Sequence, residues 1–209
     1  DQKRARIAAS LKRGGLRACV VTSLDSIAWL LNIRGGDVEH SPLVLSFLIL
    51  HNTGKADLFV DGDKISQEVR DHLGAEVKIH AYDAFIPAIS KLGGKGKKIL
   101  IDPKRTPAAI LDALEAGGGE VVKKDDPCLL PKSCKNDEEL KGARAAHIRD
   151  GVAMCKFLCW FEDTVKTGNL DELTVSDKLL EFRKEQDLFK GLSFDTISGA
   201  GPNGAIVHY

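Results

Sequence analysis

An α/β layer fold with a largely parallel or mixed sheet is predicted by three features of this 209-residue sequence. Short apolar runs alternate with helical stretches from residue 17 to residue 122. One pair of apolar runs carries a hairpin signal, and a proline-flanked boundary separates this region from a helix of about thirty residues.

The elements follow in order. Residues 2–13 place apolar positions at helical spacing and stop at Gly14-Gly15. Arg17 to Thr22, with Cys19, Val20 and Val21, reads as a buried strand. Asp25 is the expected N-cap of a short helix through Asn32. Leu43–His51 and Asp57–Val60, joined by Asn52-Thr-Gly-Lys55, form the expected hairpin. Helix then precedes strand three times: Ser66–Leu73 before Glu76–His80, Asp83–Leu92 before Lys97–Ile101, and Thr106–Ala116 before Glu120–Val122. Pro127 and Pro131 exclude a helix interior or a central strand at the boundary. Beyond it, Asn136 and Glu139 have capping-box spacing. Leu140, Ala143, His147, Met154, Leu158, Phe161 and Val165 then share one face of a helix that Gly168 ends. A second helix runs from about Thr174 to Gln186. Gly191 to Tyr209 reads as two short strands joined by a glycine-rich turn. The division that results is residues 1–126 as one domain, 127–135 as a linker and 136–209 as the opening of a second domain, with Trp29 expected to be buried in the first.

Composition narrows the function classes. Thirty Lys and Arg balance thirty Asp and Glu, so no overall field favours nucleic acid or an anionic membrane. The longest apolar run, Pro42 to Leu50, is too short to span a bilayer. Asp1-Gln-Lys-Arg leads into a polar amphipathic stretch rather than a signal peptide, and a start at Asp1 reads as a processed chain or an excised piece. Five cysteines at irregular spacing point to a reducing, cytoplasmic compartment and to buried or half-buried thiols.

Two glycine motifs are set aside. Gly199-Ala-Gly201-Pro-Asn-Gly204 matches the dinucleotide fingerprint in spacing, but Pro202 and the strand-like Ala205–Tyr209 stand where a phosphate-facing helix should open. Its glycines serve a tight turn. Gly93-Gly-Lys-Gly96 lacks the spacing of a phosphate loop. Arg34 and Asp37 around Gly35-Gly36 read either as a binding element or as a local salt bridge. No histidine spacing suits a metal site. His208, at the expected end of a strand just past the turn, is the one candidate functional side chain.

Three segments resemble one family. Thr22-Ser-Leu-Asp25-Ser-Ile-Ala-Trp29-Leu-Leu-Asn32-Ile-Arg34-Gly-Gly-Asp37-Val is similar to the middle domain of three-domain Xaa-Pro aminopeptidases (aminopeptidase P). Lys135 to Ala153 resembles the first helix of that family's catalytic domain, and Leu192 to Tyr209 resembles its first catalytic strands. The resemblance implies a creatinase N-terminal-like domain followed by the start of a pita-bread catalytic domain. It implies a parent enzyme that removes the residue preceding proline from peptides, as a homodimer, with a pair of Mn2+ ions. The metal ligands of the family fall downstream of Tyr209, so this chain is expected to hold no metal and to be inactive alone. His208 corresponds to a histidine that hydrogen-bonds the substrate around the scissile carbonyl. The alternative implication is a metal-free, peptidase-like binding module.

Overall fold

The computed structural model describes residues 2–206. The chain divides into two compact units, residues 1–134 and 135–209.

The first unit is built on one six-stranded mixed sheet with strand order β4-β3-β2-β1-β5-β6. Its strands are β1 (Ala18–Val21), β2 (Ser46–His51), β3 (Ala56–Val60), β4 (Val77–His80), β5 (Lys98–Ile101) and β6 (Glu120–Lys123). β2 runs antiparallel to both β1 and β3, while β3–β4, β1–β5 and β5–β6 are parallel pairs. All four residues of β1 are buried, as a continuous apolar run predicts for a strand covered on both faces.

Strand alternation divides this apolar content between two cores. Cys19, Val21, Leu48, Leu50, Leu58 and Val60 meet Ile7 and Leu11 of α1 (Gln2–Arg13), Ile27, Leu30 and Leu31 of α2 (Leu24–Leu31), and Leu73 of α3 (Gln67–Leu73). Ala18, Val20, Ile49, Phe59, Ile99 and Ile101 meet Phe85 and Ile89 of α4 (Phe85–Leu92) and Ile110 and Leu114 of α5 (Ala108–Ala116). α4 and α5 approach closely where each ends in glycine. A Cβ added at Gly117 would lie 2.1 Å from the Ser90 carbonyl oxygen, so only glycine fits.

Three expectations for this unit need correction. Ser23, not Asp25, is the N-cap of α2, and Asp25 lies within the first turn, where its Oδ1 accepts from the Ser26 N–H at 2.9 Å. Trp29 is half-buried rather than buried. Lys3 donates to the Trp29 carbonyl and sits 4.6 Å over the indole, so one face of the ring packs on a cation instead of the core. Pro131 lies inside a helix after all. In the short α6 (Leu129–Ser133) it occupies the third position, where the missing N–H had no intrahelical partner to lose. The proline-flanked segment packs with the first unit. Cys128 is buried in its core, and Lys132 pairs with Asp25.

The second unit opens with α7 (Asp137–Thr164). Both halves of its capping box form: the Glu139 N–H donates to Asn136 Oδ1 at 2.8 Å, and the Asn136 N–H donates to Glu139 Oε2 at 2.9 Å. A 3₁₀ turn over Val165–Thr167 leads to Gly168, whose left-handed φ of 72° ends the helix. α8 (Glu172–Lys184) packs on α7, tied to it by Arg183 to Asp150 and Lys156 to Glu185.

Much of the apolar face expected for α7 stays uncovered. Leu140, Leu158 and Val165 are exposed, and Ala153 is the buried residue of the helix. The cysteines divide likewise: Cys19 and Cys128 are buried, whereas Cys134, Cys155 and Cys159 are exposed, against the expectation for all five. Residues 192–200 form no strand, and a 3₁₀ turn over Gly201–Ala205 takes the place of the start of the second expected strand. A strand persists only where another backbone segment supplies its hydrogen bonds, and none of the described residues does so here. Among the described residues, no helix is long and apolar enough to cross a membrane.

Candidate active site

His208, the sequence-predicted site residue, lies outside the described residues, as do Val207 and Tyr209. The described segment that leads to it is held in a defined way. Gly201 adopts a φ of 54°, the left-handed turn position that its sequence predicts, and Asn203 N–H donates to the Ala200 carbonyl at 3.1 Å. Ile206 N–H then donates to the Asn203 carbonyl at 3.1 Å.

The turn is clamped from α8. Glu172, the first residue of that helix, accepts through Oε1 from the Ala200 N–H at 2.6 Å and from Asn203 Nδ2 at 3.0 Å, with Oε2 3.1 Å from the same nitrogen. Asp171 caps the helix by accepting from the Thr174 N–H at 2.7 Å, and hydrogen bonds from the Thr174 side chain first and its N–H second hold the carboxyl below the usual carboxylate range. Asp171, Glu172, Leu173 and Ser176 face Thr196, Ile197 and Ser198 across an open cleft of about 470 Å³. Sequence reasoning missed Glu172, because no spacing rule links a helix start to a turn 28 residues later.

A second polar cluster lies on the sheet. The Asp57 carboxylate on β3 takes His51 Nε2 of β2 at 2.6 Å and His80 Nε2 of β4 at 2.8 Å. Burial disfavours the charged carboxylate, but the bonds from His51 and His80 outweigh it and hold Asp57 below the usual range. His80 also stacks on Phe59 with centroids 5.0 Å apart. The cluster joins three strands side by side. A carboxyl depressed in the fold contributes stability that is complete above the unfolded Asp value near 3.9 and is lost as pH falls through the folded value. Thermal stability should therefore fall more steeply between about pH 5 and pH 2 in the parent chain than in Asp57→Asn. Melting curves across that range check this, and equal slopes would refute it.

The buried thiols sit beside Asp126. Burial, reinforced by the Asp126 charge, pushes the Cys19 thiol up to about 12. Burial first and the Asp126 charge second push the Cys128 thiol up as well. Neither supplies a thiolate nucleophile. Asp126 is held in turn by Asp102, whose Oδ2 accepts the Asp126 N–H at 3.1 Å and Arg105 Nη1 at 2.7 Å. These groups fix the boundary segment to the end of β5.

Arg34 and Asp37 do not pair with each other. Arg34 Nη1 donates to the Ala28 and Ile33 carbonyls at the end of α2, while Asp37 binds Lys64 at 2.9 Å and accepts the Leu45 N–H. They shape the loop. Among the described residues no group of three His, Cys, Asp or Glu side chains is placed to hold a metal ion.

Comparison with known proteins places this arrangement. Residues 1–139 match the Creatinase/Prolidase N-terminal domain and residues 141–209 match Metallopeptidase family M24. The chain is 38% identical to aminopeptidase P2 of Arabidopsis thaliana, an alignment covering 93% of this chain and 31% of that protein. It is 42% identical to a probable Xaa-Pro aminopeptidase P of Aspergillus flavus, covering 91% of this chain and 30% of the relative. Among solved structures, the X-prolyl aminopeptidase of Caenorhabditis elegans, a cytosolic enzyme with a di-nuclear active site, superposes with a TM-score of 0.89 at 32% identity over the whole chain. That match spans 34% of the solved chain. A prolidase from Thermococcus sibiricus, at 20% identity and a TM-score of 0.67, shares the fold. The chain thus spans about a third of the length of these aminopeptidases. With its first 139 residues matched to that domain model, the chain belongs to the creatinase/prolidase N-terminal domain family, and its residues 141–209 match metallopeptidase family M24.

Proposed function

We propose that the protein of which these residues form part is a metal-dependent Xaa-Pro aminopeptidase, hydrolysing the bond between an N-terminal residue and a following proline. The observation that carries the reading is the match across both units, at about 40% identity, to proteins of that activity. The M24 family is one of metallopeptidases, and the Caenorhabditis elegans neighbour has a di-nuclear site. Manganese as the ion, a homodimer as the assembly and the cytoplasm as the location belong to the same proposal. So does the domain division, residues 1–126 as the creatinase N-terminal-like domain and 136–209 as the opening of the catalytic domain. The exposed Ile148, Leu158, Leu173, Phe194 and Ile197 support it, as an apolar surface that a larger catalytic domain would cover.

The role of this chain in catalysis is carried by His208. An imidazole N–H aimed at the scissile carbonyl stabilises the oxygen as charge develops on it, which favours the transition state over the bound substrate. A bound metal pair would supply Lewis-acid activation of water in such a peptidase. The alternative of a metal-free binding module draws no support from the relatives, which are aminopeptidases.

The test uses the complete protein. Purified with manganese, it should hold about two ions per chain and release arginine from Arg-Pro-Pro. The 209-residue chain treated in the same way should do neither. A metal-loaded complete protein that leaves Xaa-Pro peptides intact would refute the reading.

A further inference from the structure

We propose that the first unit binds a small phosphomonoester, in the cleft where the β2–β3 turn meets the starts of β1 and β4, with Arg17, Lys55 and Lys78 as its cationic rim.

Three observations build it. First, the rim stands on fixed backbone. The cleft has a volume of about 340 Å³ and is lined from all of these segments. The Asn52 N–H donates to the Arg17 carbonyl at 3.1 Å, the His51 N–H to the Lys55 carbonyl at 2.9 Å and the Ala56 N–H to the Glu76 carbonyl at 2.9 Å. Lys78 stands in register with Asp57 on the neighbouring strand, which puts both on the same face of the sheet.

Second, the positive charge of the rim is not neutralised. Among the described residues no carboxylate lies within ion-pair distance of Arg17, Lys55 or Lys78, whereas Lys98, Lys104 and Lys132 of the same unit each have one. The Asp57 carboxylate in the lining is turned to the histidines, with Oδ2 on His51 Nε2 and Oδ1 on His80 Nε2. An ionised carboxylate only accepts, so both of those nitrogens carry the hydrogen. Glu76 is the other acid of the lining, and it opposes the rim.

Third, the donors suit a phosphate. The Arg17 guanidinium is a planar fork that matches two phosphate oxygens, and the two ammonium groups add point charges. Thr53 Oγ1 accepts the Lys55 N–H at 3.4 Å, which leaves its own hydrogen for an acceptor in the cleft. A phosphomonoester brings three acceptor oxygens and nearly two negative charges at neutral pH, against two oxygens and one charge for a carboxylate. The cleft lies at the small end of the range for small-molecule sites.

Calorimetry on the 209-residue chain at fixed ionic strength tests this, with inorganic phosphate and glycerol 2-phosphate as probes. Both should saturate one site, with Kd below about 1 mM. Arg17→Gln and Lys78→Gln should each weaken glycerol 2-phosphate binding by about threefold to tenfold. Glu76→Gln should change it in the opposite direction, tightening it about twofold. Lys124→Gln removes the same charge just past β6, at the opposite end of the parallel β1–β5–β6 strands from Arg17. It should leave the affinity within about 1.5-fold of the parent. Binding that does not saturate, or equal weakening by Lys124→Gln, would show a general field and overturn the site. A phosphoserine peptide that binds about tenfold more tightly than glycerol 2-phosphate would overturn the small-molecule assignment. If Arg17→Gln does not fold, Lys55→Gln takes its place in the series, where the same weakening supports the site and an unchanged affinity overturns it.

Discussion

His208→Ala in the complete enzyme is expected to lower kcat by about 10²–10³, with a much smaller rise in KM. The magnitude is that of removing one donor to a developing oxyanion, about 2.7–4 kcal/mol of transition-state stabilisation. The split between the constants follows from when the interaction forms. A bond that strengthens only as the carbonyl oxygen gains charge contributes to the transition state and little to substrate binding. A histidine serving only the fold would show the opposite signature, a lower melting temperature with the turnover of the folded enzyme intact. Steady-state kinetics and thermal unfolding on one metal-loaded preparation separate the two. A kcat within about threefold of the parent would end the catalytic assignment.

The largest effect on stability is expected at Phe59. Its ring is 1% exposed, packs edge-on against Phe85 at 5.2 Å and stacks under His80 at 5.0 Å. It joins the core beneath α4 to the cluster of Asp57, on its own strand, with His51 and His80 on the strands either side. Phe59→Ala removes the ring and leaves a cavity that close-packed strands cannot collapse, at a cost of roughly 3–5 kcal/mol. Phe59→Leu keeps most of the volume and should cost under about 2 kcal/mol. Urea unfolding of the 209-residue chain at neutral pH measures both. A Phe59→Ala loss below about 1 kcal/mol would show that the core relaxes around the site.

The first unit was legible in the sequence because its signals are local. Every expected helix and strand between residues 2 and 123 is present, with ends shifted by a few residues. The apolar runs, Ser66 and Gly74 around α3, and the Asn136–Glu139 box are each read from residues close together in the chain. What failed was set by distant partners. Trp29 meets Lys3, 26 positions away, and no periodicity encodes that. The two expected strands after Gly191 have the right composition, yet a strand needs a neighbour, and composition does not say where the neighbour is. The same holds for the site. A family likeness singled out His208, whereas Glu172 became visible only once Ala200 and Asn203 were folded back onto α8.

The sheet order has a bearing on how this chain is made. β1 occupies the middle, with β2 on one side and β5 on the other, and β5 begins only at Lys98. During synthesis the hairpin of β2 and β3 can pair as soon as it emerges, and β1 can join it. The far edge of β1 then stays open while the ribosome adds the residues up to Ile101, presenting a buried-type Ala18-Cys-Val-Val21 run to any other nascent chain. The β1–β5 pair closes across the longest stretch of sequence in the sheet, and long-range strand pairing is intrinsically slow. Expression trials that truncate before β5 will yield insoluble material, and those that continue past β6 will yield a chain whose central strand has both its neighbours.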